Sequence, residues 1–315
     1  IVAMKKWGDE KAIEQSKQPV RMLVDLYVKF HAEAEKDPTL EDEGRAWFSK
    51  LEKGDAEAHR LWKKCVDWSM TQFNAIYTRL NVSFDMMLGE SFFEDKMDEV
   101  IADFTKSGIA KESQGALLIF YPGDTYPPLM LKKKDGATLY ATRDLATDKY
   151  RIKKWGKDVL IVNEVGAEQS LYFRQIYEAE EMIGYCTKSQ RKHVAHGMIR
   201  FKEGKMSTRK GNTIWLEDVL AEAVKRASKF NPKTAEEVGL GALKYNDLKR
   251  ETIKDVLFDW DEVVNLKGNS GPYIQYTYAR ARSVLRKAVR AKSTKAGNAT
   301  SMPIQTVEQG KPGAL

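Results

Sequence analysis

The sequence predicts an α/β protein in which long helices precede and follow a parallel sheet. From Pro19 to about residue 109, and again from Glu217 onward, apolar residues recur every three or four positions, as in helices that bury one face. Between these regions, short apolar runs alternate with helical patterns, the order typical of parallel β-α-β units. The length of 315 residues exceeds the usual size of one hydrophobic core and therefore favours two domains.

Two long helices are predicted near the beginning of the chain. The first buries one face that carries residues spaced by three and four positions, namely Leu23, Leu26, Tyr27, Phe30 and Ala34. The second runs from Trp62 to about Leu80, where aromatic and aliphatic residues repeat with helical spacing. Helix–helix packing explains these aromatic residues without a ligand.

A buried strand and a hairpin are predicted where the pattern changes. The run "GALLIFY" begins at Gly115 and suits a buried strand, and "PPLMLKKKDGATLYAT" predicts a hairpin that turns at Asp135-Gly136. A helix is expected from Asp144 to Trp155, and "KDVLIVNEVG" then predicts a strand.

The same alternation continues with a helix from Gln169 to Ile183 and a strand in "KHVAHGMIRF". Parallel sheets bind ligands beyond the carboxyl ends of their strands. The polar turns at 163–169 and 196–211 follow two such strands, so we expect a ligand site there.

The composition narrows the class of protein. The chain has 52 basic and 45 acidic residues, a net charge of +7 and a pI of about 9.1, which suits a nucleic-acid or nucleotide partner. Cys65 and Cys186 lie far apart without metal-ligand spacing, which argues against a disulfide or zinc site and indicates a reducing cytoplasm. No run of about 18 apolar residues is present, so we expect no membrane insertion.

A cationic segment, "FKEGKMSTRKGN", occupies residues 201–212. Lys205 and Arg209 could place a point charge and a planar fork on neighbouring phosphate oxygens, and Ser207 with the loop amides could add donors. The spacing is not that of a Walker A loop. Taken alone, the segment is more simply interpreted as a basic solvated hairpin.

Several motifs in order resemble those of one enzyme family. "KMSTR" resembles the KMSKS signature of class I aminoacyl-tRNA synthetases, with Thr208 and Arg209 in place of the last two residues. "LYATRDLATDKYRI", "GAEQSLYFRQIYE" and "HVAHGMI" resemble arginyl-tRNA synthetases more specifically. "KYNDLKRE" and "GPYIQYTYARARSVLRKA" resemble the helices with which that family's anticodon-binding domain begins.

The resemblance implies a Rossmann-like parallel-sheet catalytic core with a helical insertion, followed by the start of an all-α anticodon-binding domain. The expected domains are the helical insertion at 1–114, the second half of the catalytic domain at 115–216, a helical connection at 217–267, and tRNA-binding helices with a linker at 268–315. No HIGH-like tetrapeptide occurs, so we expect a fragment of a longer chain that is inactive alone.

The resemblance also implies roles for particular residues. The arginine substrate is expected at Tyr140, Asp144 and Gln169. ATP is expected at Gly166, Glu168, His196, Gly197, Met198, Lys205 and Met206. The catalytic residues would be Lys205, Ser207 and Arg209, and tRNA would bind Arg280, Arg282, Arg286, Lys287 and Arg290.

The chemistry of a carboxylate also supports Asp144 as the residue that binds the arginine side chain. A guanidinium presents N–H donors in a rigid fork, and a carboxylate that accepts two parallel bonds is its efficient partner. The alternative is that Asp144 is a helix-start residue stabilised by the helix dipole. For His196 the alternative to an ATP contact is a packed core residue.

The expected activity is arginine–tRNA ligation, with ATP and Mg²⁺ as its complex, and with no tightly bound protein metal. The expected partners are L-arginine and tRNA(Arg), without a membrane, in a cytoplasmic monomer that serves protein synthesis. Two alternatives stay open at this point. One is a class I synthetase of other specificity, and the second is a non-catalytic tRNA-binding relative or fragment.

Overall fold

The computed structural model describes residues 1–201 and 213–295, the last five of them by their backbone alone. The chain divides into two compact units. The first comprises Ile1–Asp218 and Leu248–Asp259, and the second comprises Val219–Asp247 and Trp260–Leu315. The functional domain boundaries expected from the sequence stay predictions.

The first unit begins with five helices, which confirms the helical prediction for this region. They are α1 Val2–Trp7, α2 Glu10–Gln15, α3 Pro19–Ala34, α4 Thr39–Glu52 and α5 Ala56–Arg79. Helix α5 begins six residues before Trp62 because Asp55 caps it, accepting a hydrogen bond from the Ala58 amide. The predicted buried face of α3 is only partly buried, since Ala34 is buried whereas Tyr27 is 43% exposed.

A three-stranded antiparallel sheet follows the 3₁₀ helix Glu90–Lys96 and helix α6 Met97–Lys106. Its strands are β1 Ala110–Ser113, β2 Ala116–Ile119 and β3 Leu129–Lys132. The predicted turn is present, because the Lys133 amide donates to the Ala137 carbonyl (2.9 Å) around Gly136 at φ +87°. Its second arm is reduced to one bridge between Lys132 and Thr138, since a helix begins at Tyr140.

The predicted β-α-β unit is confirmed. Helix α7 Tyr140–Trp155 leads to β4 Ile161–Gly166, and helix α8 Ser170–Ile183 connects β4 to β5 Arg191–His196. Strands β4 and β5 are parallel, and their register pairs Ile161 with Arg191 and Gly166 with His196. The buried faces of α6, α7 and α8 and the antiparallel sheet share one hydrophobic core, which includes Phe104, Ile119, Leu131, Leu145 and Ile176.

Two parts of the predicted sheet were wrong. The run "KHVAHGMIRF" is two strands, because the chain breaks at Gly197-Met198 and resumes as β6 Ile199–Phe201. Strand β6 pairs in parallel with β7 Val256–Phe258, which lies in a region predicted to be helical. Strands β2 and β3 belong to the antiparallel sheet rather than to the parallel one.

In the second unit, the regular elements of the described residues are helices, with a 3₁₀ turn at Pro232–Thr234. Most of α9 Leu216–Ser228, α10 Ala235–Leu248, α11 Trp260–Val263 and α12 Gly271–Lys295 lies in it. Gly239 lets α10 approach the backbone of Ala223, where a Cβ atom would come within 2.8 Å of it. Within the described residues, no helix is long and apolar enough to cross a membrane.

Candidate active site

The carboxyl ends of β4 and β5 bring most of the sequence-predicted nucleotide residues to one sheet edge. Gly166 and His196 end their strands as directly paired residues. A 3₁₀ turn, Ala167–Gln169, follows Gly166, and Gly197 and Met198 follow His196. Six of the predicted site residues therefore lie on two adjacent turns at the edge where parallel sheets bind ligands.

Glu168 folds back over Gly166. A Cβ atom at position 166 would lie 2.5 Å from Oε1 of Glu168, so glycine leaves this carboxylate room beside the strand end. Glu168 is exposed. The neighbouring Gln169 is the N-cap of α8, but its side chain makes no capping hydrogen bond. The carboxylate is thus an exposed acceptor at the sheet edge, a location suited to a ribose hydroxyl.

The turn after β5 contacts the segment that leads into β7. The Gly197 amide donates to the Thr252 carbonyl (2.7 Å), and the Met198 amide donates to Oδ1 of Asp255 (2.8 Å). The Met198 carbonyl accepts from the Val256 amide (2.9 Å). These three main-chain groups belong to two residues at which ATP is expected, and they bind residues 252–256 in this structure.

His196 is half-exposed at this edge and is not a packed core residue. Its Nδ1 lies 3.1 Å from the Gly197 carbonyl oxygen, and its Nε2 lies 3.7 Å from Oε1 of Glu164. Its ring is 44% exposed, so the alternative of a core histidine does not describe it. His193 differs, because its Nε2 lies 3.0 Å from the Val165 carbonyl and its ring packs on Phe173.

Asp144 lies in the second turn of α7. The helix begins at Tyr140 with Leu139 as N-cap, and its first turn contains no acidic residue. Asp144 therefore does not cap the helix, contrary to the helix-start alternative. Its Oδ2 instead accepts a hydrogen bond of 2.5 Å from the hydroxyl of Tyr172 on α8.

A cavity of about 310 Å³ opens beside the Asp144 carboxylate. Arg143 also lines it and pairs with Glu90, its Nη1 lying 2.7 Å from Oε2 of Glu90. Burial raises the pKa of Asp144, and the negative charges of Asp148 and Glu90 raise it further, whereas the Tyr172 hydrogen bond lowers it. A cation in the cavity would favour the ionised carboxylate.

The other two predicted arginine contacts are more open. Tyr140 is 72% exposed and lies one helical turn before Asp144, so both Cβ atoms are on the same side of α7. Gln169 is exposed at the N-terminus of α8. Neither residue lines the cavity beside Asp144.

No local pattern in the sequence predicts a buried ionic cluster that joins three elements of the site. Arg191 at the start of β5 pairs with Asp148 on α7, and its Nη2 donates to Oε1 of Glu180 on α8 (2.9 Å). All three side chains are nearly inaccessible to solvent. The Arg191 guanidinium on the strand pairs with both helices. The cluster therefore holds α7 in place at Asp148, one helical turn after Asp144.

Lys205, Met206, Ser207 and Arg209 lie outside the described residues. Within the described part of the chain, no group of three or more His, Cys, Asp or Glu side chains could hold a metal ion. The described residues therefore form two features. One is the Asp144 carboxylate beside a cavity, and the other is an exposed sheet edge that carries a glutamate and a histidine side chain.

Comparison with known proteins decides the family. A family model described as "tRNA synthetases class I (R), catalytic domain" matches residues 1–260. The chain belongs to this family of class I synthetases. It is 43% identical over 304 residues to "Arginine--tRNA ligase" of Clostridium perfringens, an alignment that covers 93% of this chain and 53% of the relative.

A second curated relative agrees with this class I synthetase assignment. "Arginine--tRNA ligase" of Clostridium acetobutylicum is 44% identical over 297 residues, 91% of this chain and 52% of that protein. The chain thus spans about half the length of these curated relatives.

Arginyl-tRNA synthetase from Plasmodium falciparum superposes with a TM-score of 0.72 at 21% identity, covering 91% of this chain and 49% of that one. The Thermus thermophilus arginyl-tRNA synthetase superposes with a TM-score of 0.69 at 21% identity, covering 99% of this chain and 57% of that one. These two likenesses show the fold, which is the mixed helix and sheet fold of a class I synthetase catalytic domain.

Proposed function

We propose that the full-length protein is an arginine–tRNA ligase. It would activate L-arginine with ATP to arginyl-adenylate and transfer the arginyl group to the 3′-terminal ribose of tRNA(Arg). The observation that carries the choice of amino acid is the Asp144 carboxylate, which lines a cavity in a chain of the class I (R) family. The names of the relatives support the same choice.

Arginine recognition follows from the chemistry of this carboxylate. An ionised Asp144 offers two acceptor oxygens, one of which already accepts from Tyr172. The remaining acceptor sites suit the N–H donors of a guanidinium, and a charge-assisted pair of this kind is stronger than a neutral one. Tyr140 and Gln169 would complete the polar surroundings of the side chain.

ATP would bind at the sheet edge formed by the turns after β4 and β5. Glu168 supplies an exposed acceptor for ribose, and His196 presents a half-exposed ring to the same edge. The amides of Gly197 and Met198 bind residues 252–256 here, so adenine would use other groups of this turn or displace those bonds. Mg²⁺ would arrive with the triphosphate, whose oxygens are its usual ligands.

Activation needs little covalent chemistry from the protein. The arginine carboxylate attacks the α-phosphorus of ATP in line, the bond from that phosphorus to the bridging oxygen breaks, and pyrophosphate leaves with the electron pair. Lys205 and Arg209, with Ser207, would stabilise the charge that develops on the phosphates. Positioning and charge stabilisation are the protein's whole contribution to this step.

Helix α12 would bind tRNA through its cationic side chains. Between Gly271 and Arg290 the sequence contains no Asp or Glu. The five assigned cations, Arg280, Arg282, Arg286, Lys287 and Arg290, are all exposed. Phosphate neutralisation by such side chains supplies affinity that falls as salt rises.

A cytoplasmic monomer active in protein synthesis is the cellular setting we propose. The basic net charge of +7 suits a nucleic-acid partner. Both cysteines are free, as expected of a protein in a reducing compartment.

The experiment is aminoacylation by the full-length protein with unfractionated tRNA, ATP and each amino acid in turn. Charging with arginine alone is expected, and ATP–pyrophosphate exchange should require tRNA, as the family resemblance implies. Charging with another amino acid would favour a class I synthetase of other specificity. Tight tRNA binding without charging by any amino acid would favour a non-catalytic relative.

A further inference from the structure

One contact of the candidate site involves a residue to which the sequence assigned no role. Tyr172 lies on the first turn of α8, and its hydroxyl donates to Oδ2 of Asp144 on α7 at 2.5 Å. Both side chains are half-buried. The bond therefore links the proposed specificity carboxylate to a second helix.

The hydrogen bond restricts the orientation of the carboxylate. Rotation about the last torsion of an aspartate side chain is broad and roughly two-fold, so an Asp144 without a partner would sample many carboxylate planes. A guanidinium requires the carboxylate in one plane, because its two parallel N–H groups each donate to one carboxylate oxygen. Fixing Oδ2 from α8 selects one plane and leaves Oδ1 and a second lone pair of Oδ2 to accept from a ligand.

We propose that Tyr172 is a positioning residue, which holds the Asp144 carboxylate in the orientation that a cationic side chain of the substrate requires. This inference rests on the proposed function, since it assumes that Asp144 binds arginine. Tyr172 itself does not line the cavity beside Asp144, so it acts through the aspartate.

The charged groups around Asp144 determine how loss of the Tyr172 hydroxyl would change the pKa of Asp144. Helix α7 contributes Asp148 and Arg151, and the 3₁₀ segment contributes Glu90, which is paired with Arg143. On α6, Glu99 and Asp103 pair with Lys149 of α7. From α8 the facing titratable group is Tyr172.

The direction of the effect follows from these neighbours. Burial, Asp148 and Glu90 raise the pKa of Asp144, whereas Tyr172 and Arg151 lower it. Removing the hydroxyl takes away a contribution that lowers this pKa, so the carboxylate would become protonated at a higher pH than in the wild type. A protonated Asp144 cannot pair with a guanidinium.

The test is Tyr172→Phe in the full-length protein, because phenylalanine keeps the ring and removes the hydroxyl. The matched control is Tyr177→Phe on the same helix, a half-buried tyrosine whose hydroxyl donates to Oδ1 of Asn163 (3.0 Å). The readout is kcat/KM for arginine, expressed as the ratio of variant to wild type across about pH 5.5 to pH 8, with KM for ATP measured alongside. The ratio cancels ionisations that both proteins share.

For Tyr172→Phe we expect kcat/KM for arginine to fall about tenfold near pH 7.5, as for loss of a hydrogen bond to a charged group. The deficit should grow rather than shrink as pH falls, because the carboxylate of the variant becomes protonated first, while KM for ATP changes less than about twofold. Tyr177→Phe should give a ratio near unity at every pH. Melting temperatures measured at each pH check that both proteins stay folded across the range.

A loss that arginine and ATP share equally, or no loss for arginine at any pH, would overturn the proposal, because a merely structural hydroxyl has no reason to affect one substrate alone. Asp144→Asn, assayed in parallel, separates this failure from failure of the proposed function. If Asp144→Asn charges arginine normally, the arginine site itself is misassigned. If Asp144→Asn is severely impaired and Tyr172→Phe uses arginine as well as the wild type does, only the role of Tyr172 fails.

Discussion

The Asp144 site and the exposed surface of α12 bind charged ligands, on our account, by opposite means. Asp144 is a single half-buried carboxylate with one hydrogen-bond partner and one cavity beside it. The α12 surface carries five exposed cations along a stretch of helix that has no acidic residue. Val284, Leu285 and Val289 on the same helix are also exposed, each by about 60%.

This difference predicts that Asp144 determines ligand selectivity, whereas the α12 surface contributes affinity. A charge shielded from solvent interacts strongly and over short distances, so geometry decides which ligand it accepts. Exposed charges interact weakly one by one and are screened by salt, so they contribute as a sum. One substitution should therefore disable the first region, whereas the second should respond gradually and in proportion to the charge removed.

The largest effect is expected for Asp144→Asn. The substitution keeps the size of the side chain but replaces one acceptor oxygen with an amide donor, which would face the donors of the guanidinium. Removing one partner of a buried charge pair costs about 2–5 kcal/mol, so kcat/KM for arginine should fall roughly 30- to several-thousand-fold. Steady-state charging kinetics of the full-length protein measure this.

KM for ATP should change far less in the same variant, because the turns at which we propose that ATP binds do not include Asp144. Asp158→Asn makes the same chemical change at an exposed position and should leave both constants near the wild-type values. Equal losses for arginine and ATP would indicate that Asp144 supports the fold rather than the substrate.

Lys205→Ala should have the next largest effect. If Lys205 stabilises the charge that develops as pyrophosphate leaves, kcat should fall about 100-fold or more while KM for ATP changes less. Lys210→Ala removes the same charge from the same segment and is the control. A large rise in KM with unchanged kcat would make the segment a nucleotide clamp.

Gly197→Ala tests how rigid the sheet edge is. A Cβ atom at position 197 would overlap the backbone of Lys254 and lie 2.5 Å from the Asp255 nitrogen, so the two segments must separate. We expect the free energy of unfolding to fall by about 1–3 kcal/mol, measured by denaturant titration. Gly166→Ala should cost less, because there the added atom meets the mobile side chain of Glu168.

The smallest change per residue is expected on α12. Replacing Arg280, Arg282 and Arg286 with alanine should weaken tRNA binding and reduce the slope of log K against log salt by about 0.7–0.9 per lost phosphate contact. Filter binding at several salt concentrations measures the slope. The control replaces three exposed lysines of the first unit, Lys53, Lys111 and Lys133. Equal slope changes in both variants would show that α12 acts only through net charge.

The sequence predicted the elements with strong local patterns. Helices α3 and α5 and the β4-α8-β5 unit follow from apolar periodicity, which is a local pattern that does not depend on distant parts of the chain. Placement of six predicted residues on one sheet edge followed from the same unit, since parallel strands end on the same side.

The missed features depend on partners distant in sequence. Strand β7 has three residues, too few for a periodic pattern, and its partner β6 lies more than fifty residues earlier. The bond between Asp144 and Tyr172 exists because α7 packs against α8. A tyrosine with helical spacing is usually a core residue, so nothing local marked Tyr172 as part of the site.

The most direct test of the account compares arginine with citrulline, whose neutral urea group has nearly the shape of a guanidinium. Wild-type protein and Asp144→Asn are each assayed for tRNA-dependent activation of both amino acids. We predict that the wild type prefers arginine by about a thousandfold or more in kcat/KM and that the preference falls to within about tenfold in the variant. An arginine preference of unchanged size in a stably folded Asp144→Asn protein would contradict it.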